Sequence, residues 1–299
     1  MRILEGRTLS ARILATLPAR IETVSARLGR PPSLAIVNYF PDSPSAVYVR
    51  RKTAACEKLG IAVKLFSPAV KEDSGDFKAL LASLGADPAY DALMVERPLP
   101  NGFENLEAWD SMPAAKDVDG LSSLNMGRLF LTKKFSEIET AGFFAPCTAL
   151  AVVRLLEFHG INPAGMNIAV AGRSAVVGRP LAHMLTSLDA TVTLCHTQSR
   201  DIAAIFKASD LVITAVGKAG WLKKEMLAQG ATLIDVGTNI DAAGKMCGDA
   251  DFERIKQVAA AATPVPGGVG PVTLACLLEA AVKAAERAPK TEKGEIALT

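Results

Sequence analysis

Residues 167–180 read N-I-A-V-A-G-R-S-A-V-V-G-R-P. The run from Asn167 to Ala171 has the character of a buried strand, Gly172 stops it, and Gly178-Arg179-Pro180 opens a segment to Leu188 with helical spacing. A helix entered through such a turn aims free backbone N–H groups and the positive end of its dipole at the turn, which suits the pyrophosphate of a dinucleotide. The common G-x-G-x-x-G fingerprint is absent: Gly172 and Gly178 are too far apart to be its first two glycines, and Arg173-Ser174 stands where glycine would be. A glycine turn between strand and helix is by itself plain α/β architecture, so the next strand decides.

That strand is Thr191 to Cys195, followed by H-T-Q-S-R. In an NAD-binding unit an acid about 20 residues after the glycines grips the ribose 2′-hydroxyl. Here no acid precedes Asp201, and Arg173, Thr197 and Arg200 offer cations and a hydroxyl that suit a 2′-phosphate. The pattern favours NADP over NAD. Its competitor is that Arg173 and Arg200 are surface arginines with no ligand.

On either side of this stretch, strands and helices alternate, which implies parallel pairing. Leu9 to Leu28, Ser43 to Leu59 and Phe77 to Leu84 read as helices, and Ser33–Val37, Ala62–Phe66 and Ala92–Val95 as strands. Residues 120–144 carry a weak pattern and read mostly as loop, and a helix from Pro146 to Phe158 leads into the nucleotide strand. Beyond Cys195 the pattern predicts helices over Ile202–Ala208, Lys223–Gln229 and Phe252–Val258, with strands at Leu211–Thr214 and Thr232–Asp235. Residues 263–271 hold three prolines and three glycines; such a stretch is a shaped loop that lets backbone approach a ligand. A last helix follows from Val272 to about Arg287, and the polar tail from Ala288 is expected to fray.

Composition bounds the function. The chain has 299 residues, 49% of them apolar, enough for two cored domains. With a net charge of +2 and a pI near 8.2 there is no basic stripe for nucleic acid, and small acidic ligands fit better. Five scattered cysteines form no C-x-x-C pair, so neither a disulfide framework nor a metal site is indicated and a reducing cytoplasm is expected. No signal peptide and no membrane-length apolar run is visible.

Ser45, Tyr48 and Lys52 share one face of the second helix. A lone helical lysine is usually a solvated charge. It becomes a general acid or base only where burial and neighbours bring its titration near neutrality. Asp235 to Asn239 follow a parallel strand, where ligands gather, so Gly237 and Asn239 are candidates for the nicotinamide pocket. His159 and His183 read as structural, and His196 as a strand-end residue near the cofactor at most.

The motifs S-x-x-Y-V-x-x-K (Ser45 to Lys52), P-L-P (Pro98 to Pro100), K-D-V-D-G (Lys116 to Gly120), P-C-T (Pro146 to Thr148), G-R-S-x-x-V-G (Gly172 to Gly178) and P-V-P-G-G-V-G-P-x-T (Pro264 to Thr273) occur in order. Together they resemble the methylenetetrahydrofolate dehydrogenase/cyclohydrolase family over nearly the whole chain. The resemblance implies NADP-dependent oxidation of methylene-tetrahydrofolate to methenyl-tetrahydrofolate, then hydrolysis to formyl-tetrahydrofolate. By that likeness Lys52 is the hydrolytic acid/base, Tyr48 positions folate and lysine, and Asp119 bonds the pterin. Pro266, Gly267 and Gly268 border the folate, while Gly172, Arg173, Ser174, Val177, Gly178 and Thr197 hold NADP. It also implies a homodimer. The expected architecture is two α/β domains with the active site in the cleft between them. The first spans residues 1–145 plus 272–299, and the second, Rossmann-like and NADP-binding, spans 146–271, with the C-terminal helix returning to the first.

The sequence departs from the family pattern at Glu96-Arg97, where Gln-Leu is common. A carboxylate about 4 Å from an ammonium at an effective dielectric of about 20 favours the charged pair by roughly 4 kcal/mol, which would keep Lys52 protonated. Hydrolysis is then expected to be weak while oxidation survives, unless Glu96 itself acts as base or Arg97 draws it away. Val272 for methionine and Thr197 for serine are milder changes. The alternatives are an NADP-dependent dehydrogenase of another small substrate and a non-catalytic nucleotide-binding module.

Overall fold

The computed structural model describes residues 1–42, 46–70, 75–103 and 106–289. They fall into two compact units, one of residues 1–14 with 119–277 and the other of 15–118 with the residues from 278 on. The chain opens in the former with strand β1 (Arg2–Ile3) and helix α1 (Arg7–Ala15). Helix α2 (Leu17–Leu28) starts afresh because Pro18 fits only a first turn, where its missing N–H is not needed. What periodicity predicts as one helix from Leu9 to Leu28 is therefore two. Gly29, at φ 70°, ends α2 by donating its N–H to the Ser25 carbonyl.

The unit built on residues 15–118 continues with β2 (Ser33–Val37), α3 (Ala46–Leu59), β3 (Ala62–Phe66), α4 (Gly75–Ala86), β4 (Ala92–Val95) and the short α5 (Leu106–Asp110). Its sheet runs β3-β2-β4, all parallel, with β2 buried along its whole length in the centre. Asp91, just before β4, is wholly buried and accepts two bonds from the Arg30 guanidinium (2.7 and 2.8 Å) and one from the Ser33 N–H (2.9 Å). That knot fixes where the outer strand begins.

The other unit resumes with α6 (Ser123–Leu131), α7 (Phe135–Thr140), α8 (Cys147–Phe158), β5 (Asn167–Ala171), α9 (Gly178–Thr186), β6 (Thr191–Cys195), α10 (Ile202–Lys207), β7 (Leu211–Thr214) and β8 (Thr232–Asp235). A small antiparallel hairpin of β9 (Asn239–Ile240) and β10 (Met246–Cys247) precedes α11 (Phe252–Ile255), β11 (Ala261–Ala262) and α12 (Val269–Arg287). Its six-stranded sheet has the order β1-β11-β8-β7-β5-β6 with every pairing parallel. Strand order reverses at β5, with β6 on one side and β7 on the other, the arrangement of a Rossmann-like sheet.

Several elements differ from the sequence expectation. Residues 120–144 are not mostly loop: α6 and α7 occupy them. Of α6 only Asn125 and Leu129 are buried, and Leu124, Phe130 and Leu131 face outward, so its apolar spacing gives no clean stripe. Residues 223–229 form just a 3₁₀ turn at Lys224–Met226. Helix α12 begins at Val269, so the Pro-Gly loop is shorter than predicted and Gly270-Pro271 already lie in the first helical turn. Strand β1 pairs with β11, and α6 packs on α9, which carries residues 1–14 and 119–145 to the nucleotide sheet. The far end of α12 belongs with α2, through Arg20 bonding both Glu286 oxygens (2.8 and 2.9 Å) and Val24, Leu28 and Ala285 burying together.

Candidate functional site

In the unit of residues 15–118, Lys52 projects from α3, and Glu96 is the first residue past β4. The Glu96 N–H donates to the Val37 carbonyl (2.8 Å), which prolongs the sheet by a step and fixes the Glu96 backbone. Lys52 Nζ then meets Glu96 Oε2 at 2.5 Å, with the two side chains 15% and 10% exposed. Arg97 points its guanidinium over the Trp109 ring, 5.5 Å from the centroid. The ion pair expected from Glu96 is therefore formed by Lys52. Tyr48 lies one turn before Lys52 on α3 and is partly exposed. One turn after Lys52, burial pushes the Cys56 thiol up to about 12, so it stays neutral. Ser45 lies outside the described residues.

In the other unit, Gly172 ends β5 at φ 114°, and a Cβ there would run into the Ala215 carbonyl. At Gly178 a Cβ would strike the Gly172 carbonyl. Both positions thus require glycine, and the backbone folds back tightly between them. Ser174 Oγ accepts from the Val177 N–H (3.2 Å) and the Ser174 carbonyl from the Arg179 N–H (3.1 Å), which sets the start of α9. Arg173 and Ser174 are exposed in this turn, and Thr197 is exposed in the loop after the adjacent strand β6. Asp201, the first acid past β6, is spent as the cap of α10, its Oδ1 accepting from the Ala204 N–H (3.1 Å). With the first acid after β6 so engaged, the site offers donors and cations for a 2′-phosphate, and the residues present fit NADP.

Asp119 Oδ1 accepts from the Cys147 N–H (3.2 Å) at the start of α8, and Gly120 beside it turns at φ 65°. Gly267 has φ 114°, and its carbonyl accepts from the Gly6 N–H (2.8 Å); Gly268 is buried next to it and Pro266 exposed. Gly237 is buried with its N–H on Asp235 Oδ1 (2.9 Å), and the Asn239 amide donates to Asp249 Oδ1 (3.0 Å). Asp235 and Asp249, 2% and 0% exposed, are functional candidates that the sequence reading passed over. Their signal is an acid closing a buried strand and another behind Gly248.

His159 Nε2 meets the Glu5 carbonyl and His183 Nε2 the Thr132 carbonyl, both structural bonds. His196 Nδ1 accepts from the Gln198 N–H inside the loop after β6. Among the described residues no cluster of His, Cys, Asp and Glu is placed to hold a metal, and no helix is long and apolar enough to cross a membrane.

Residues 4–119 match the family model for the tetrahydrofolate dehydrogenase/cyclohydrolase catalytic domain, and residues 146–289 that for its NAD(P)-binding domain. The chain is 45% identical to the bifunctional protein FolD of Elusimicrobium minutum over 95% of its length and 99% of that protein. Its structure is similar to that of the bifunctional dehydrogenase/cyclohydrolase from Campylobacter jejuni (TM-score 0.87, 35% identity, 96% and 99% covered). It also resembles that of the Trypanosoma brucei enzyme complexed with NADP and an inhibitor (TM-score 0.85, 31% identity, 95% and 97% covered).

Proposed function

Since this chain belongs to the tetrahydrofolate dehydrogenase/cyclohydrolase family, we propose that it oxidises methylene-tetrahydrofolate to methenyl-tetrahydrofolate with NADP, and that Glu96 restrains the hydrolysis to formyl-tetrahydrofolate. The observation that supports the first half is the nucleotide turn, where Arg173, Ser174 and Thr197 stand at the ends of β5 and β6 and Asp201 is occupied as a helix cap. Bound NADP supplies a hydride acceptor. Arg173 and Thr197 hold its 2′-phosphate, and the backbone from Gly172 to Gly178 faces its diphosphate with the N-terminus of α9.

On the folate side, Tyr48 positions the ring system, Asp119 bonds the pterin, and the turn at Pro266, Gly267 and Gly268 borders the substrate. Oxidation demands no protein acid or base, because the folate nitrogen lone pair stabilises the cation left behind; alignment of two flat rings is the protein's contribution. Hydrolysis is different. A water must lose a proton as it attacks the methenyl carbon, and Lys52 Nζ is engaged by Glu96 Oε2 instead of facing that water. Lys52 paired with Glu96 therefore leaves the second reaction slow.

The protein acts as a homodimer in the cytoplasm on this reading, and cysteines that form no disulfide among the described residues suit a reducing compartment. A spectrophotometric assay with both folates and with NADP and NAD tests the whole proposal. Methenyl formation with NADP, with much slower methenyl hydrolysis, is the expected result. Thermal stabilisation by NADP without any folate oxidation would assign the chain instead to a non-catalytic nucleotide-binding role.

A further inference from the structure

We propose that Asp249 is a positioning residue for the nicotinamide half of the dinucleotide, acting through the two loops that leave β7 and β8. Its carboxylate is fully buried and collects four donors. Oδ2 accepts from the backbone N–H of Val216 (2.7 Å) and Gly217 (3.3 Å), and Oδ1 from the N–H of Lys218 (2.9 Å) and the side-chain amide of Asn239 (3.0 Å). One carboxylate thereby fixes three successive residues after β7 and the first residue of β9, where the loop after β8 ends. Asp235, which closes β8, ties the same assembly from beneath. It accepts from the N–H groups of Gly237 (2.9 Å), Asp249 (3.0 Å) and Ala250 (2.8 Å) and from the Thr214 hydroxyl (3.2 Å). At Gly237 a Cβ would strike the Asp249 carboxylate, and at Gly248 it would strike that of Asp235, so the backbone approaches both acids as only glycine allows.

The location gives this network its function. In a parallel sheet with order reversal at β5, the dinucleotide crosses the carboxyl ends of the strands. Arg173 and Thr197 hold its phosphorylated adenosine on the β5–β6 side, so the nicotinamide half extends over β7 and β8. The loops it meets there are 215–218 and 236–239, the ones that Asp249 clamps. Asp249 itself is walled in by those loops and acts only through them. A carboxylate with four donors is poorly replaced by an amide, whose NH₂ end would face two N–H groups.

This inference rests on the dinucleotide-binding part of the proposed function, and its test is read without folate. Wild type, Asp249→Asn and Asn239→Ala are compared for binding of NADPH, followed by its fluorescence, and of adenosine 2′,5′-bisphosphate, which lacks the nicotinamide half, followed by calorimetry. Asp249→Asn is expected to weaken NADPH about tenfold or more while the fragment changes by less than about twofold. Asn239→Ala, which removes one donor and no buried charge, shows the same split at about threefold and carries the test should Asp249→Asn not fold. Equal weakening of both ligands, or no change in either, overturns the inference. Wild-type protein that binds both ligands with this split in its variants, yet oxidises no methylene-tetrahydrofolate, sinks the proposed function and leaves the inference standing.

Discussion

Lys52 and Glu96 form an ion pair at 2.5 Å, carried by a helix and by the end of a central-sheet neighbour strand, with both side chains largely out of water. Replacing the carboxylate by an amide of the same shape keeps a hydrogen-bond acceptor and removes the charge. For Glu96→Gln we expect methenyl hydrolysis to rise about tenfold or more relative to oxidation, since the charged partner that engages Lys52 Nζ is removed. Both rates come from the same absorbance assay. An unchanged ratio would show that the pair is not what restrains hydrolysis.

Arg173 is the one cation in the turn between Gly172 and Gly178, and it is exposed toward solvent. A charge-assisted bond to phosphate contributes roughly 1.5 to 3 kcal/mol, so Arg173→Ala should raise KM for NADP about tenfold or more. NAD has no 2′-phosphate, and its KM should move by less than about twofold. Parallel changes with the two cofactors would place the phosphate elsewhere.

Much of this was legible in sequence because the signals are local. The strand from Asn167 to Ala171 is bounded by a glycine whose conformation no other residue adopts easily, and Glu96 can be placed beside Lys52 once their motifs are recognised. What escaped has a non-local cause. Strands β1 and β11 are two residues each and exist only as partners of one another and of β8, so no window of sequence announces them. The carboxylates of Asp235 and Asp249 are meaningful only when three loops converge on them, and an acid beside a glycine reads in sequence as an ordinary turn. The helices over 123–140 were hidden because α6 leaves Phe130 and Leu131 exposed.

The knot at Asp91 predicts a stability effect away from the chemistry. Its side chain is 1% exposed and Arg30 is 28% exposed, so removing the guanidinium strands a buried charge that water reaches poorly. Arg30→Met should cost about 3 kcal/mol in chemical denaturation, at the low end for a broken buried pair because Arg30 reaches the surface. Adding Asp91→Asn to that variant removes the orphan charge and should recover a good part of the loss. A double variant no better than the single one would assign the cost to packing of the arginine stem.

Burial pushes the Asp235 carboxyl from 3.8 up to about 6, against the bonds from Ala250, Asp249 and Gly237 that favour its charged form, and the neighbouring Asp249 adds to the rise. The folded protein therefore holds this proton more tightly than the unfolded chain does. Between about pH 4 and pH 6 the native state is protonated where the unfolded state is not, so stability from this group is complete below about pH 4 and is lost as pH climbs through 6. The shift is worth about 3 kcal/mol. Asp235→Asn cannot titrate, and the stability of wild type minus that of the variant, measured by denaturation at each pH, should fall by about that amount from pH 4 to 6.5. Subtraction cancels the carboxylates that do not neighbour Asp235. A flat difference would mean that Asp235 is ionised in the folded protein throughout this range, held there by its backbone donors.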